Sequence, residues 1–428
     1  MQEQRLRRIL ARVAFSGLVL GSMTLAACGS GNGGSSVDKH IKIATDFPVS
    51  GGDASATLPA EYAVNLAVQQ NKDLGSGYTL EVVNKDDEGA TGADPSVGEA
   101  NVQQLVNDKE VMAIVGPFNS GVAKKEIPVV NAATLVEISP TNTNPGLTLR
   151  QYANANQIDF DKLHPSNKPN SYFRIPANDV VQGQADAKIA LAAPVSAKTA
   201  FVVDDNSTYG KGLGDFFSDA FKAGGGTIVG TRASITSDQV ANLPQLATTI
   251  KGLNPDAVFY GGVTSQGGPV LKKDLVAIGY TKPMVGGDGI AADPGFIDKA
   301  GAAAAGTIGT VAAPDPSALT SSNAAAFKSA YTSFVQGKQN NDLLPYSSQA
   351  YDAAMIEITA IKNLIQANKS VTRANVRDEV AAIHYDGITG SISFDQNGDN
   401  AGSKVFAVYA VDPAKAAGKW SYETQINV

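Results

Sequence analysis

Cysteine and histidine are scarce in this chain of 428 residues, and that scarcity limits its chemistry. Cys28 is the only cysteine, which excludes an internal disulfide bond. The three histidines, His40, His164 and His384, are too few and too scattered for a histidine-rich metal site or an obvious catalytic triad. The sequence also lacks a G-x-S-x-G elbow, a P-loop and zinc-ligand spacing. We therefore predict no enzyme, no cofactor and no metal.

Positive charge is in deficit as well. Lysine and arginine total 34 against 41 acidic residues, which gives a net charge of −7 and a pI near 5.1. A nucleic-acid partner normally requires a basic face, so we expect none. The length predicts about two to three domains with substantial cores.

An apolar stretch at the N-terminus has the length of a signal-peptide core and is short for a membrane span. It follows four arginines and ends in Leu25-Ala26-Ala27-Cys28, which resembles the lipobox of bacterial lipoproteins. The resemblance implies a signal peptide over residues 1–27, lipidation of Cys28 and a flexible tether over residues 28–40. We expect an extracytoplasmic protein, lipid-anchored to the bacterial cell membrane. Simple secretion and an uncleaved anchor remain alternatives.

The segment from residue 111 to residue 145 organises the rest of the chain. The apolar run 111–115 predicts a buried strand, 120–131 predicts a helix, and 134–138 predicts a second strand. In such α/β units, ligands bind beyond the carboxyl ends of the strands. Those ends carry Asn119-Ser120 and Thr141-Asn142-Thr143, so we predict a site for a small carboxylate. The alternative is that Ser120 only caps its helix and the threonines only shape a turn.

Strands and helices alternate along most of the remaining sequence. Predicted strands at 199–203, 227–231 and 257–260 alternate with predicted helices, which indicates an α/β fold with parallel sheets. Leu147–Asn170 is rich in Asn, Gln and Lys, and we predict an inserted surface loop whose partial deletion leaves folding intact. Ile388–Phe394 and Val405–Val411 predict a terminal hairpin.

Two acidic segments resemble metal-binding loops without matching them. Lys85-Asp86-Asp87-Glu88 follows a predicted strand, where carboxylates more often cap a helix or solvate a turn. Asp395–Gly402 has the acidic spacing of a calcium loop but lacks its glycine and its terminal Glu. We interpret both segments as plain turns.

An ordered series of motifs runs along the chain. The motifs are Ile114-Val115-Gly116 with Ser120, Ile138-Ser139-Pro140-Thr141 with Asn144-Pro145, Tyr172-Phe173-Arg174 with Asp179 and Gln182-Gly183, Tyr209-Gly210-Lys211-Gly212, Tyr260-Gly261-Gly262, Gly287-Asp288-Gly289, and Tyr351-Asp352-Ala353. Their order and spacing resemble the Leu/Ile/Val-binding type of periplasmic binding protein, a type I solute-binding fold. The resemblance covers nearly everything from Ile41 to Tyr422. It implies two Rossmann-like α/β lobes with parallel sheets, joined by a three-crossing hinge.

The same resemblance implies how the chain divides between the lobes. Lobe I would comprise residues 41–176, with the insertion at 147–170, and residues 314–387. Lobe II would comprise residues 177–313 and 388–428. The crossings would lie near Pro176, Ala313 and Gly387, and the lobes would close on a small-molecule ligand by a hinge motion.

Site residues are carried over from the family position by position. Ser120, Thr141 and Thr143 match the residues that grip an α-carboxylate. Asp288 and Tyr209 match the acidic residue and tyrosine beside the α-ammonium. The alternatives are a solvated turn residue for Asp288 and a packed aromatic for Tyr209.

The side-chain pocket matches less well. Phe118, Asn119 and Tyr346 fall where branched-chain receptors line that pocket, although Asn119 is polar and Val263 replaces an aromatic residue. Core packing is the alternative role for Phe118 and Tyr346.

The leading hypothesis is a receptor that delivers an amino acid, or a similar small zwitterion, to an ABC permease. A lipoprotein that presents its bound solute to a signalling partner is one alternative. A receptor for amides or small carboxylates is another.

Overall fold

The computed structural model describes residues 39–235, 243–402, 404–412 and 419–427. The predicted signal peptide, Cys28 and nearly all of the predicted tether lie outside these residues. Within them, no helix is both long and apolar enough to cross a membrane.

The elements alternate along the chain as the sequence predicts. The strands are β1 (His40–Asp46), β2 (Asp73–Gly75), β3 (Tyr78–Lys85), β4 (Glu88–Gly89), β5 (Gly92–Ala93), β6 (Val111–Val115), β7 (Val136–Ser139), β8 (Tyr172–Arg174), β9 (Thr199–Asp204), β10 (Thr227–Ile228), β11 (Ala233–Ser234), β12 (Ala257–Gly261), β13 (Met284–Gly286), β14 (Thr307–Val311), β15 (His384–Gly387), β16 (Gly390–Ser393), β17 (Val405–Ala410) and β18 (Ser421–Asn427). The α-helices are α1 (Ala54–Gln70), α2 (Pro95–Asn107), α3 (Ser120–Ala133), α4 (Arg150–Ala153), α5 (Phe160–Leu163), α6 (Asp179–Leu191), α7 (Thr208–Ala223), α8 (Leu243–Leu253), α9 (Gly268–Ala277), α10 (Pro294–Ala300), α11 (Ser322–Phe334), α12 (Pro345–Gln366) and α13 (Arg373–Ala381).

The first sheet forms the centre of lobe I. Its strands lie in the order β2-β3-β1-β6-β7-β8, and every neighbouring pair is parallel except β2 with β3. Helices α1 and α12 pack on one face, and α2 and α3 pack on the other. Burial on both faces explains why β6 is a continuous apolar run rather than an alternating one.

The second sheet forms the centre of lobe II. Its main order is β10-β9-β12-β13-β14-β17-β18, and β11 also pairs with β9. The strands up to β14 are parallel, whereas β17 and β18 add antiparallel neighbours at one edge. Helices α6 and α7 cover one face, and α8, α9 and α10 cover the other. The predicted α/β class with two Rossmann-like lobes is confirmed.

The predicted terminal hairpin is wrong. Residues 390–393 pair with residues 384–387, whereas β17 pairs with β14 and β18. Asp352 of α12 accepts the backbone N–H groups of Ile388 and Thr389 at 2.9 Å each, which ties this segment to lobe I. The chain therefore crosses for the third time between Ser393 and Val405, and lobe II does not resume at residue 388 as predicted.

The prediction of an inserted surface loop at Leu147–Asn170 is also wrong. The segment contains α4, α5 and a 3₁₀ turn at Asn154–Asn156. Leu147, Ala153, Ile158 and Leu163 are buried and form a small core with α3. The prediction failed because these four apolar residues are widely spaced among many polar ones, so the sequence shows no clear apolar pattern. These four residues nevertheless pack against α3.

Candidate ligand-binding site

A cavity of about 30 Å³ lies where the two lobes meet. It has room for about two water molecules. All eight ligand-binding residues predicted from the sequence line it, together with Val263 and Gly289. The eight residues are Phe118, Asn119, Ser120, Thr141, Thr143, Tyr209, Asp288 and Tyr346.

The lobe I wall is built around the start of α3. Ser120 is the first residue of this helix, and Asn119 precedes it without a side-chain capping bond. The Ser120 hydroxyl accepts a long hydrogen bond of 3.4 Å from the backbone N–H of Asn144, which leaves its own hydrogen to donate. The first turn of a helix also presents N–H groups without intrahelical acceptors. Ser120 is therefore not the N-cap of α3, and its hydroxyl and the helix start present donors at the cavity.

The two threonines differ in what they offer. Thr141 donates its hydroxyl hydrogen to the carbonyl oxygen of Phe118 at 2.8 Å, which joins the loop after β7 to the loop after β6. Thr143 lines the cavity beside the buried carboxylate of Asp179. Thr141 must therefore rotate to donate to a ligand, so Ser120 is the better placed hydroxyl.

The lobe II wall is built around Asp288, which follows β13. Tyr209 donates to Asp288 Oδ1 at 2.7 Å, and Gln182 donates to the same oxygen at 2.9 Å. Tyr346 of α12 donates to Oδ2 from the other lobe. The Tyr209 hydroxyl also accepts the N–H of Gly289 at 3.0 Å, so Tyr209 is held in place from both sides.

Burial dominates the electrostatics of this wall. It raises the pKa of Asp288, and the hydrogen bonds from Tyr346, Tyr209 and Gln182 oppose that effect because they favour the carboxylate. Burial, followed by the charge of Asp288, raises the pKa of Asp179. The same two causes raise the pKa values of Tyr209 and Tyr346, so both phenols stay protonated as donors.

Gln182 is a site residue that sequence reasoning missed. The Gln182 side-chain amide also donates to the carbonyl oxygen of Thr310 at 3.3 Å and to the Thr310 hydroxyl at 3.2 Å. The Thr310 hydroxyl in turn donates to Asp186 at 2.6 Å. Gln182 of α6 thereby holds the carboxylate of Asp288 in position. The only signal was its place in the Gln182-Gly183 motif, to which no role was assigned.

The side-chain pocket contains one aromatic pair. Phe118 and Tyr346 meet edge to face, with ring centroids 6.0 Å apart. Phe118 also meets Phe47 of the lobe I core at 6.4 Å, so it packs and lines the cavity at once. Asn119 and Val263 complete this side.

A wider cavity of about 430 Å³ adjoins the small one. Asn119, Ser120, Tyr209 and Val263 line both. Polar residues among its other walls include Asp53, Lys124, Lys125, Asp205 and Ser207. Its volume lies within the ordinary range for ligand pockets.

The lobes touch each other around the cavities. The Ser55 hydroxyl donates to Asp293 at 2.7 Å, and the Asn144 side-chain amide donates to the carbonyl oxygen of Thr208 at 2.7 Å. The Tyr346–Asp288 bond also spans the two lobes. These contacts describe a closed arrangement.

The model of the family described as periplasmic binding protein matches residues 40–419. The chain belongs to the periplasmic binding protein family. The family and fold are those of substrate-binding receptors, and the family implies an extracytoplasmic location.

A curated relative of this periplasmic binding protein is the Leu/Ile/Val-binding protein BraC3 of Rhizobium johnstonii. The two are 29% identical over 231 residues, which cover 54% of this chain and 55% of the relative. The match thus spans just over half the length of that relative.

Two solved structures share the fold. The leucine-binding protein LivK from Thermotoga maritima superposes with a TM-score of 0.72 at 24% identity, covering 90% of this chain and 99% of that one. An R. palustris solute-binding protein in complex with 4-hydroxybenzoate superposes with a TM-score of 0.70 at 17% identity, covering 91% and 96% of the two chains.

Proposed function

We propose that this periplasmic binding protein captures an amino acid, or a similar small zwitterion, between its two lobes. The observation that carries the proposal is the pairing of unlike walls across one small cavity. Asp288 lies on the lobe II side, and Ser120 at the start of α3 lies on the lobe I side. The lobe II wall suits a cation because of Asp288, and the lobe I wall suits an anion because of the start of α3.

The lobe I wall would hold the ligand's carboxylate. Helix N-termini attract anions because their unsatisfied N–H groups and the helix dipole both favour negative charge. The Ser120 hydroxyl would add a charge-assisted hydrogen bond, which is worth roughly 1.5–3 kcal/mol. Thr141 and Thr143 would contribute after small rotations of their hydroxyl groups.

The lobe II wall would hold the ligand's ammonium. A carboxylate offers about four acceptor positions, and three donors already bind Asp288. A ligand ammonium would take the remaining position and would keep Asp288 ionised. Tyr209 would stand beside the ammonium, because its hydroxyl is fixed against both Asp288 and Gly289.

Binding would require the lobes to part and close again. A cavity of about 30 Å³ is too small for an amino acid, so the side chain would occupy space opened from the adjoining cavity of about 430 Å³. Hinge closure around a ligand is a common mode of domain motion.

We propose further that the closed receptor delivers its ligand to an ABC permease and is not itself an enzyme. The membrane attachment would be the lipid on Cys28, for which the support is the lipobox-like Leu25-Ala26-Ala27-Cys28 sequence. The R. palustris protein of the same fold, which is the solute-binding protein of an ABC transporter, favours transport over signalling.

An aromatic carboxylate is a second candidate ligand. The support is the edge-to-face pair of Phe118 and Tyr346 at the cavity, and an R. palustris protein of the same fold that binds 4-hydroxybenzoate. Asp288 argues against it, because no ligand ammonium would then neutralise the buried carboxylate.

Matched ligand triplets test the proposal. For each of leucine, valine, alanine and phenylalanine, calorimetric titration of the full-length protein would compare the amino acid, its amide and its deaminated acid. We expect at least one amino acid to bind, and both of its analogues to bind at least tenfold more weakly, which is about 1.4 kcal/mol. Equal binding of the deaminated acid, or of 4-hydroxybenzoate alone, would favour the second candidate.

A further inference from the structure

Three acidic side chains converge inside lobe I, on the face of the first sheet that α2 and α3 cover. Asp46 ends β1, Asp87 follows β3, and Glu126 lies in the middle of α3. One carboxylate oxygen from each lies within 4.8 Å of the others. All three residues are fully buried. The convergence depends on three elements that are far apart in the sequence.

A fourth carboxylate extends the group from a different element. Glu137 of β7 is fully buried and lies within hydrogen-bonding reach of Glu126. Neither carboxylate oxygen of Glu137 has a hydrogen-bond donor among the described residues. The same holds for both oxygens of Asp87 and of Glu126. Six buried carboxylate oxygens of these three residues thus have no donor among the described residues.

Few hydrogen-bond donors and no basic side chains among the described residues neutralise these four carboxyl groups. The Asn101 side-chain amide donates to Asp46 Oδ1 at 2.9 Å, and Asp46 Oδ2 has no donor among the described residues. Within the same residues, none of these four carboxylates forms an ion pair with a basic side chain. An uncompensated buried carboxylate costs several kcal/mol, so the group needs either bound protons or a cation.

We propose that Asp46, Asp87 and Glu126, supported by Glu137, form a structural site for a hard divalent cation of the calcium class. Carboxylate and amide oxygens are the donors that such cations prefer. Calcium fits better than magnesium because it accepts irregular, partly bidentate coordination, whereas magnesium usually keeps several waters. The cation would join β1, the β3 exit, α3 and β7, and so would stabilise lobe I independently of the ligand cavity.

Calcium binding is tested on the full-length protein after treatment with EDTA and removal of the chelator. Calorimetric titration with Ca²⁺ should give one site per chain. Saturating Ca²⁺ should raise the unfolding temperature by about 4 °C or more, because a hundredfold excess over the dissociation constant stabilises by about 2.7 kcal/mol. No binding of Ca²⁺ up to about 10 mM would overturn the proposal and would mean that the carboxyl groups share protons.

A pair of variants separates this site from adventitious calcium binding. Glu126→Gln should remove most of the Ca²⁺-dependent shift in unfolding temperature. Glu61→Gln should keep it, because Glu61 is a buried glutamate of α1 that packs on the opposite face of the same sheet. In EDTA, Glu126→Gln should unfold at a temperature no lower than the wild type, since it removes an uncompensated buried carboxylate. A full shift retained in Glu126→Gln would overturn the proposal, as would an equal loss in both variants. The wild-type titration decides the question alone if a variant fails to fold.

Discussion

Under the proposed function, recognition of a zwitterion depends on Asp288, because it is the carboxylate that lines the small cavity. Asp288→Asn keeps the shape of the side chain and removes its negative charge. We expect the affinity for an amino acid to fall by about 2–5 kcal/mol, since the ligand ammonium would be buried without a counter-charge. Calorimetric titration measures the change directly.

Asp215→Asn provides a matched control for that variant. Asp215 lies on the exposed side of α7 in the same lobe and pairs with Arg232. Its substitution should leave ligand affinity unchanged. Undiminished affinity in Asp288→Asn would show that Asp288 does not bind the ammonium.

The raised pKa of Asp288 predicts that ligand affinity depends on pH. Burial makes this carboxyl group take up a proton at a higher pH than an ordinary aspartate does. Only the ionised form attracts an ammonium, so affinity should fall as the pH decreases through that raised pKa. Titrations over a pH series would check this, and Asp288→Asn should show a flat profile. A flat profile in the wild type would contradict the assignment.

At the scale of residues, the sequence predicts the residues that line the small cavity. It does not predict the buried polar contacts made by Gln182 or the convergence of Asp46 with Glu126. Ser120 and Thr141 follow the carboxyl ends of β6 and β7, which parallel pairing brings to one edge of the first sheet. Asp288 follows β13 of the second sheet, and only the resemblance to the family assigns it a role. Gln182 and the Asp46–Glu126 convergence depend on how helices pack against sheets. No local pattern in the sequence encodes those contacts.

At the scale of elements, the segment 147–163 is part of the lobe I packing. Leu163 of α5 is 2% exposed and lies in the small core beside α3. We expect Leu163→Ala to lower the free energy of unfolding by about 2–4 kcal/mol, because it removes buried apolar surface and leaves a cavity. Urea unfolding would measure the loss.

Lys162→Ala is the control, because Lys162 is the exposed neighbour on the same short helix. It should change stability by less than about 0.5 kcal/mol. Equal stability of the wild type and Leu163→Ala would restore the interpretation of this segment as a dispensable loop. On the present packing, deletion of residues 154–170 should destabilise the protein.

The incorrect hairpin shows why element pairing is harder to predict than element type. The strand character of 388–394 and 405–411 was recognised correctly in large part. Their partners were not, because Asp352 of α12 and the lobe I core hold the first segment. Sequence proximity favoured a hairpin, and the packing of distant elements overrode it.

At the scale of the whole molecule, contacts between the lobes away from the ligand should bias closure. Ser55→Ala removes the hydroxyl that donates to Asp293 across the cleft. Since one hydrogen bond contributes about 1 kcal/mol, we expect about a fivefold loss of ligand affinity. Small-angle X-ray scattering of the ligand-free protein should show a larger radius of gyration.

Ser218→Ala is the control for closure. Its hydroxyl donates to the carbonyl oxygen of Gly214 within α7 at 2.6 Å, so the bond stays inside one lobe. Both the scattering curve and the affinity should match the wild type. Identical results for Ser55→Ala and Ser218→Ala would mean that the Ser55–Asp293 contact does not influence closure.

The proposed function rests on the claim that the cleft recognises a small zwitterion. The most direct test is a thermal-unfolding screen of the full-length protein, stripped of co-purified ligand, against the common L-amino acids, their amides and non-amino carboxylates. We predict that at least one L-amino acid at a hundredfold excess over its dissociation constant stabilises the protein by about 2.7 kcal/mol. Stabilisation by non-amino carboxylates or amides alone would contradict the claim.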